Sequence, residues 1–197
     1  KIDVLVLYTA EAIRTTAQQL ETEIVTSFVD SNLALQNSDV DLTLNLVHVE
    51  QTSYVQSGLS SRTDLSRLRF GSVDGAFQLR NTYSADLVQL VGNYNDYCGI
   101  AYLMGTITTG FAPLGVSVVH RTCLDNFVPL HEFGHNLGCH HDEDNAPPGL
   151  GYRYGYRYCE GTDLYRTVMS YSCPSSYAPV APYMSNPDID YLGKPTG

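Results

Sequence analysis

The sequence predicts an α/β (α+β) fold: a mixed, twisted sheet with a long backing helix, a shorter second helix and an irregular C-terminal lobe. Three observations lead there. Over the first two-thirds of the 197 residues, apolar runs of strand length alternate with stretches of helical periodicity. Hydrophobic residues make up 43% and charged residues 16%, enough apolar side chain for a sizeable core. From about residue 145 onward, periodicity gives way to Pro, Gly, Tyr, Ser and Asn. A chain of this length suits one domain, 1–197, read as an upper lobe over 1–138 and a lower lobe over 139–197.

Residues 2–8 (IDVLVLY) form a run of β-branched and apolar residues, interrupted by Asp3, and are expected to form a buried strand. From about Ala10 to Asn37 the period changes: Ile13, Leu20, Ile24, Phe28 and Leu35 recur at helical spacing with no Pro or Gly between them. Residues 41–50 alternate, with Leu42, Leu44 and Leu46 on one face, which predicts a strand. One or two helical pieces follow over 62–83, broken near Gly71 and Gly75, then a strand over 86–92. Short strands are expected at 99–104 and 115–120. Asp125 or Asn126 is placed to cap a second main helix running to about Leu137, with Gly138 just past its end.

The net charge is −10, from 11 basic and 21 acidic residues, and no stretch is rich in Lys and Arg. Nucleic acid and anionic membrane are therefore excluded as expected partners, because the electrostatic attraction has the wrong sign. No apolar run approaches the ~20 residues that span a bilayer. The chain opens at Lys1 and enters a strand at once, so for a secreted protein a signal is expected to have been removed.

The stretch His131-Glu132-Phe133-Gly134-His135-Asn136-Leu137-Gly138-Cys139-His140-His141 fits H-E-x-x-H-x-x-G-x-x-H at every fixed position. Four residues apart on a helix, His131 and His135 project from one face and can share an ion. Gly138 adopts positive φ cheaply and lets the chain turn out of the helix, so that His141 approaches from another direction. Three neutral imidazoles leave one tetrahedral position open, the arrangement of a catalytic zinc ion rather than a closed structural one. Glu132, beside the first ligand, is placed to act on water as general base and then to protonate a leaving amine. His140 competes with His141 by type but not by spacing, and is expected to be an exposed neighbour. His48 and His120, in strand-like segments, are expected to be ordinary core or edge histidines.

With Asp142 after the third histidine, this motif resembles the reprolysin (adamalysin) branch of the metzincins, and Thr167-Val168-Met169-Ser170-Tyr171 resembles their methionine turn. The resemblance implies a two-lobed, zincin-like catalytic domain in which Met169 forms an apolar floor beneath the histidines without ligating. Asp142 then anchors the turn. Tyr171 is similar to the switch tyrosine of astacins and serralysins, which implies a catalytic role, although reprolysins generally lack it. Gly99, Ile100, Ala101 and Tyr102 resemble the edge strand to which an extended substrate adds. A narrower resemblance, carried by IDVLVLYT, TDLSRLR, LRNTYSADLVQLV, CGIAYLM, RTVMSY and SNPDIDYLGKPTG, is to bacterial peptidyl-Asp metalloendopeptidases. It implies a secreted, extracellular zinc endopeptidase that cuts proteins on the amino side of Asp. A pocket for an acidic side chain needs a cation, preferably Arg. Arg166 is the first candidate and Arg153 or Arg157 the others. A propeptide or protein inhibitor is a further expected partner, and a monomer the expected state. The alternative is a catalytically silent zinc-containing module that holds peptides without cutting them.

Five cysteines leave at least one without an intrachain partner. The favoured pairs are Cys98–Cys123 and Cys159–Cys173, with Cys139 a free buried thiol, though the sequence allows other partners. Asp142, Glu143, Asp144 and Asn145 form an oxygen-rich run with the chemistry to bind Ca2+, but it lacks EF-hand spacing, and a solvated acidic turn is the favoured reading.

Overall fold

A computed structural model describes residues 1–56 and 58–197. Its centre is a five-stranded sheet of β1 (Ile2–Tyr8), β2 (Leu44–Gln51), β3 (Leu87–Gly92), β4 (Gly99–Ala101) and β5 (Val116–His120). The spatial order is β2-β1-β3-β5-β4; β1, β2, β3 and β5 are parallel, and β4 joins the edge antiparallel to β5. The mixed sheet inferred from the pattern is therefore present, but β4 is shorter than the predicted 99–104. Past Ala101 the chain leaves the sheet, and the Met104 N–H donates instead to the His135 carbonyl at 3.0 Å.

From Val4 to Tyr8, β1 is buried on both faces between β2 and β3, which is why that stretch reads as a continuous apolar run. Val4, Val6 and Tyr8 point toward α1 (Ala17–Asn37) and the later helix around residue 130, while Leu5 and Leu7 point toward α2 (Ser61–Arg69) and α3 (Ala76–Thr82). Each such side chain, fully buried, contributes on the order of 1.5–3 kcal/mol of transfer free energy.

The long helix starts later than its periodicity suggested. Residues Ala10–Ala12 form one turn of 3-10 helix, and α1 begins at Ala17. Thr16 is extended and its hydroxyl accepts from the Gln19 N–H at 3.1 Å, so the cap, not the first apolar residue, sets the boundary. Leu20, Ile24, Phe28 and Leu35 form the buried face. Helix and strand are then locked by Asn32, whose amide donates to the Leu44 carbonyl and accepts from the Leu44 N–H, at 2.9 and 2.8 Å.

The segment after Gly138 contains one short 3-10 turn, Glu143–Asn145, and strands of no more than two residues, Arg157–Tyr158 with Tyr165–Arg166 and Asp190–Tyr191 with Lys194–Pro195. A chain of tyrosine contacts (Tyr158 stacked on Tyr165, Tyr165 edge-on to Tyr191, Tyr191 tilted against Tyr183) and the Cys159–Cys173 disulfide order it. Its far end is tied to the end of α1. The Met184 N–H donates to Ser38 Oγ, the Asn186 amide to the Ser38 carbonyl, and the Asn37 amide to the Pro182 carbonyl, at 2.7, 2.9 and 3.1 Å. The second disulfide, Cys98–Cys123, fastens the start of β4 to the segment after β5, and Cys139 is free among the described residues. Both pairs are the favoured ones.

Candidate active site

The motif helix, α4, spans Val128–Asn136. The predicted cap at Asp125 or Asn126 is displaced: Arg121–Asn126 is a 3-10 segment, and Phe127, with φ 57°, precedes the helix. Pro129 sits in the first turn, where its missing N–H costs nothing. At the other end Gly138 takes φ +95°, its N–H donates to the His135 carbonyl, and the Cys139 N–H donates to the Gly134 carbonyl at 2.8 Å. This left-handed exit satisfies the last carbonyls of the helix and redirects the chain.

The turn brings His141 back over the helix. The Nε2 atoms of His131, His135 and His141 lie 3.1–3.2 Å from one another. His131 Nδ1 lies 2.8 Å from the Val168 carbonyl and His135 Nδ1 2.9 Å from the Cys139 carbonyl. A carbonyl only accepts, so each Nδ1 carries the proton and each Nε2 presents a lone pair. The two lone pairs of His131 and His135 at that distance repel unless a cation shares them, and His141 Nε2 completes the donor set. The three nitrogens form a nearly equilateral triangle, close to the roughly 3.3 Å edge of a tetrahedron with Zn–N bonds of about 2.0–2.1 Å. Among the described residues they are the group able to hold a metal ion, and the donor set fits zinc. Burial and the neighbouring imidazoles push His131 down to about 3 and His141 down to about 4, so both are neutral at neutral pH, the form able to bind a metal ion.

Glu132 is 3% exposed, and its Oε2 has no hydrogen-bond partner among the described residues. Burial pushes its carboxyl up to about 8. Burial without a hydrogen-bond partner is costly for a carboxyl group, and acids perturbed in this way cluster at functional sites; this one adjoins His131.

Met169 is 2% exposed and packs under the helix at Gly134, where an added Cβ would run into its Sδ and lie 3.0 Å from its Cε. From below, Gly155 presses on the Met169 backbone; a Cβ there would lie 2.6 Å from the Met169 carbonyl carbon. Asp142 joins this turn to the third ligand. It is 3% exposed and accepts from the Tyr171 N–H at 3.0 Å, the Ser170 hydroxyl at 3.3 Å and the Asn145 amide at 2.7 Å. Burial raises its pKa, but those bonds and the Arg157 charge outweigh it and hold the carboxyl below the usual range. Tyr171 is thereby placed over His141, ring centroids 4.2 Å apart, and stays half exposed. Burial, Glu132 and Asp142 raise its phenol.

Two expectations change here. His140 is buried at 9% exposure, not an exposed neighbour, because its N–H pairs with the Arg153 carbonyl at 2.7 Å and draws the segment inward. The acidic run is not a free oxygen cage for calcium. Arg157 pairs with Asp142 at 3.2 Å and Asp144 at 2.5 Å, a guanidinium where a cation would have to sit. That same pairing removes Arg157 as a reader of substrate carboxylates, and Arg153 donates to the Leu150 and Gly105 carbonyls on the surface. Arg166 differs. It donates to the Ala178 and Ser170 carbonyls at 3.2 and 2.6 Å, faces no carboxylate in an ion pair among the described residues, and its charge bears on His131. Of the edge-strand residues, Gly99, Ile100 and Ala101 form β4, while Tyr102 follows it under the Arg69 guanidinium.

The contacts invisible to motif reading are those of Gly155, Arg157 and Asn145, which lie outside the motifs and act through long-range packing. His48 stacks on Tyr83 at the surface, and the His120 imidazole accepts from the Thr122 N–H, neither near the triad.

The sequence profile of Metallo-peptidase family M12 matches residues 1–186. The peptidyl-Asp metalloendopeptidase of Xanthomonas campestris is 36% identical over 201 residues, covering all of this chain and 46% of that protein. The one from Stenotrophomonas maltophilia is 37% identical over 204 residues, covering all of this chain and 47% of the relative. One from Pseudomonas aeruginosa is 29% identical and covers 95% of this chain. The chain thus spans about half the length of the first two relatives. A solved structure described as a chaperone–substrate complex shares the fold, with TM-score 0.71, 20% identity and coverage of 100% of this chain and 31% of its own.

Proposed function

Because this chain belongs to metallo-peptidase family M12, we propose that it is a zinc-dependent endopeptidase that hydrolyses internal peptide bonds on the amino side of Asp. The observation that carries this is the triangle of Nε2 atoms beside a buried, unpaired Glu132 carboxylate. The curated relatives named for cleavage at Asp support the specificity.

His131, His135 and His141 would hold the zinc ion, which when bound polarises a carbonyl and lowers the pKa of water toward about 7. Glu132 takes the proton of the attacking water on its unpaired oxygen and passes it to the leaving amine, so that atoms and charge balance over the hydrolysis. The Tyr171 hydroxyl, exposed beside His141, is positioned to donate to the oxyanion that develops at the attacked carbonyl. The free edge of β4 orients the peptide through main-chain hydrogen bonds from Gly99 to Ala101, with Tyr102 at the end. Met169, Gly138 and Asp142 keep these groups in place and touch no substrate.

Arg166 reads the Asp side chain. Its guanidinium is partly desolvated, which strengthens pairing with an incoming carboxylate, and it lacks an internal one. We read the chain as working outside the cell, where two disulfides persist, and as a monomer of two lobes divided near Gly138, with a propeptide or inhibitor able to use the same strand edge.

Digestion of a denatured proteome with zinc-replete protein tests this. New termini are expected to begin with Asp, and Glu132→Ala should abolish them, a loss of at least about a thousandfold. Arg166→Ala should lose Asp preference more than total activity. Cleavage by Glu132→Ala equal to wild type would refute the mechanism, and unchanged site preference in Arg166→Ala would refute the pocket. A wild type that binds peptide without cutting would mark a silent binding module.

A further inference from the structure

We propose that Gly99 is a positioning residue for Glu132, its missing side chain letting the edge strand close against the carboxylate and fix where it points. A Cβ at residue 99 would run into Glu132 Oε1, and would lie 2.8 Å from Glu132 Cδ and 2.7 Å from Val128 Cγ1. Real side chains are not found that close, so either the strand or the carboxylate would have to move. The strand cannot move easily. Gly99 is paired with Val119, the neighbouring Cys98 is bonded to Cys123, and the Cys98 carbonyl accepts from the His120 N–H at 2.7 Å. Gly99 also does not have the positive φ that would call for glycine on backbone grounds, unlike Gly138 at +95°. Space is the reason for glycine here.

The consequence reaches the reaction. Glu132 Oε1 lies against the strand, Oε2 is buried, and no hydrogen bond among the described residues fixes either oxygen, so the close contact with Gly99 is what sets the position of the carboxyl group. The same three residues, Gly99–Ala101, form the sheet edge to which a peptide would add. With no side chain between edge and carboxylate, strand addition delivers the peptide directly to the base. One glycine therefore serves both surfaces.

This role rests on the reading of Glu132 as general base, but the first measurement does not use activity. In zinc-free protein, Gly99→Ala is expected to lower Tm, and adding Glu132→Ala to recover at least about half of the loss, more than Val128→Ala recovers. Should Gly99→Ala fail to fold, the double variant with Glu132→Ala should fold. An unchanged Tm for Gly99→Ala, or no recovery by Glu132→Ala in Tm or in folding, overturns the assignment. In zinc-loaded protein, Gly99→Ala/Val128→Ala should show kcat at least about tenfold below Val128→Ala, with KM within about threefold and zinc content unchanged. A kcat within about threefold of that control, or a loss carried by KM, overturns it as well. An inactive wild type would count against the peptidase reading and leave the stability result standing.

Discussion

Gly134→Ala should change sign with its background. Residue 134 lies inside α4, where replacing glycine by alanine ordinarily stabilises a helix by about 1 kcal/mol. Here the new Cβ would meet Met169 Sδ and lie 3.0 Å from its Cε, and Met169 is 2% exposed with neighbours on every side. Overpacking of this kind costs about 1–3 kcal/mol, so the substitution should be destabilising by roughly 1 kcal/mol once the helix gain is subtracted. Met169→Ala alone should cost about 2–5 kcal/mol, because the emptied space cannot collapse. In that background Gly134→Ala gains the helix term and about 0.8 kcal/mol for burying a methyl group. It should therefore stabilise by about 1–2 kcal/mol. Urea unfolding of the four proteins, metal-free and with disulfides intact, measures the cycle without the linkage that bound zinc would add. Equal stabilisation by Gly134→Ala in both backgrounds would refute the claim that sulfur and helix backbone are in contact.

Two further outcomes follow from the same region. Asp142→Ala leaves the part-buried Tyr171 N–H and Asn145 amide without their acceptor and should cost about 1–3 kcal/mol in urea unfolding, roughly the net worth of two hydrogen bonds to a charged group after partial rescue by water. Asp142→Asn, which keeps an acceptor oxygen, should lose less; equal losses would mean that charge alone matters. Replacing Cys98 and Cys123 by serine opens a closure of 25 residues and should lower stability by about 3.5 kcal/mol, read as a fall in urea midpoint with a slope equal to or steeper than that of wild type, because the opened denatured chain exposes more surface. A shift below about 1 kcal/mol would show that the hydrogen bonds of β4 hold the strand without the bridge.

The sheet and the triad were legible because each is encoded locally. β1 reads as a strand from its own seven residues, and the ligand spacing of His131 and His135 is the pitch of the helix that carries them. Gly138 is legible for the same reason, since its positive φ follows from the need to leave that helix. Boundaries were less so. The Thr16 cap overrides an apolar period that continues through Ile13, and Phe127 ends a 3-10 segment at which Asp125 offered a more usual cap. His140 looked exposed because its pairing partner lies in a segment without periodicity. Arg153, Arg157 and Arg166 are equivalent as letters; only their partners separate them, carboxylates beside Arg157, the Leu150 and Gly105 carbonyls at the surface beside Arg153, and the Ala178 and Ser170 carbonyls beside Arg166.

The knot of bonds around Ser38 bears on timing. All three histidines are made by residue 141, yet the carbonyl that orients His131 belongs to Val168. The Val168 N–H in turn is held by the Tyr183 carbonyl, and residues 182–186 reach back across as many as 148 positions to the end of the first long helix. Synthesis proceeds from the N-terminus at about 5–20 residues per second. Residues 142–186 therefore follow the last of the three histidines by about 2–9 s. Contacts of such long sequence separation also form late in folding. The acceptor that orients His131 is the part of the site that the order of the chain supplies last.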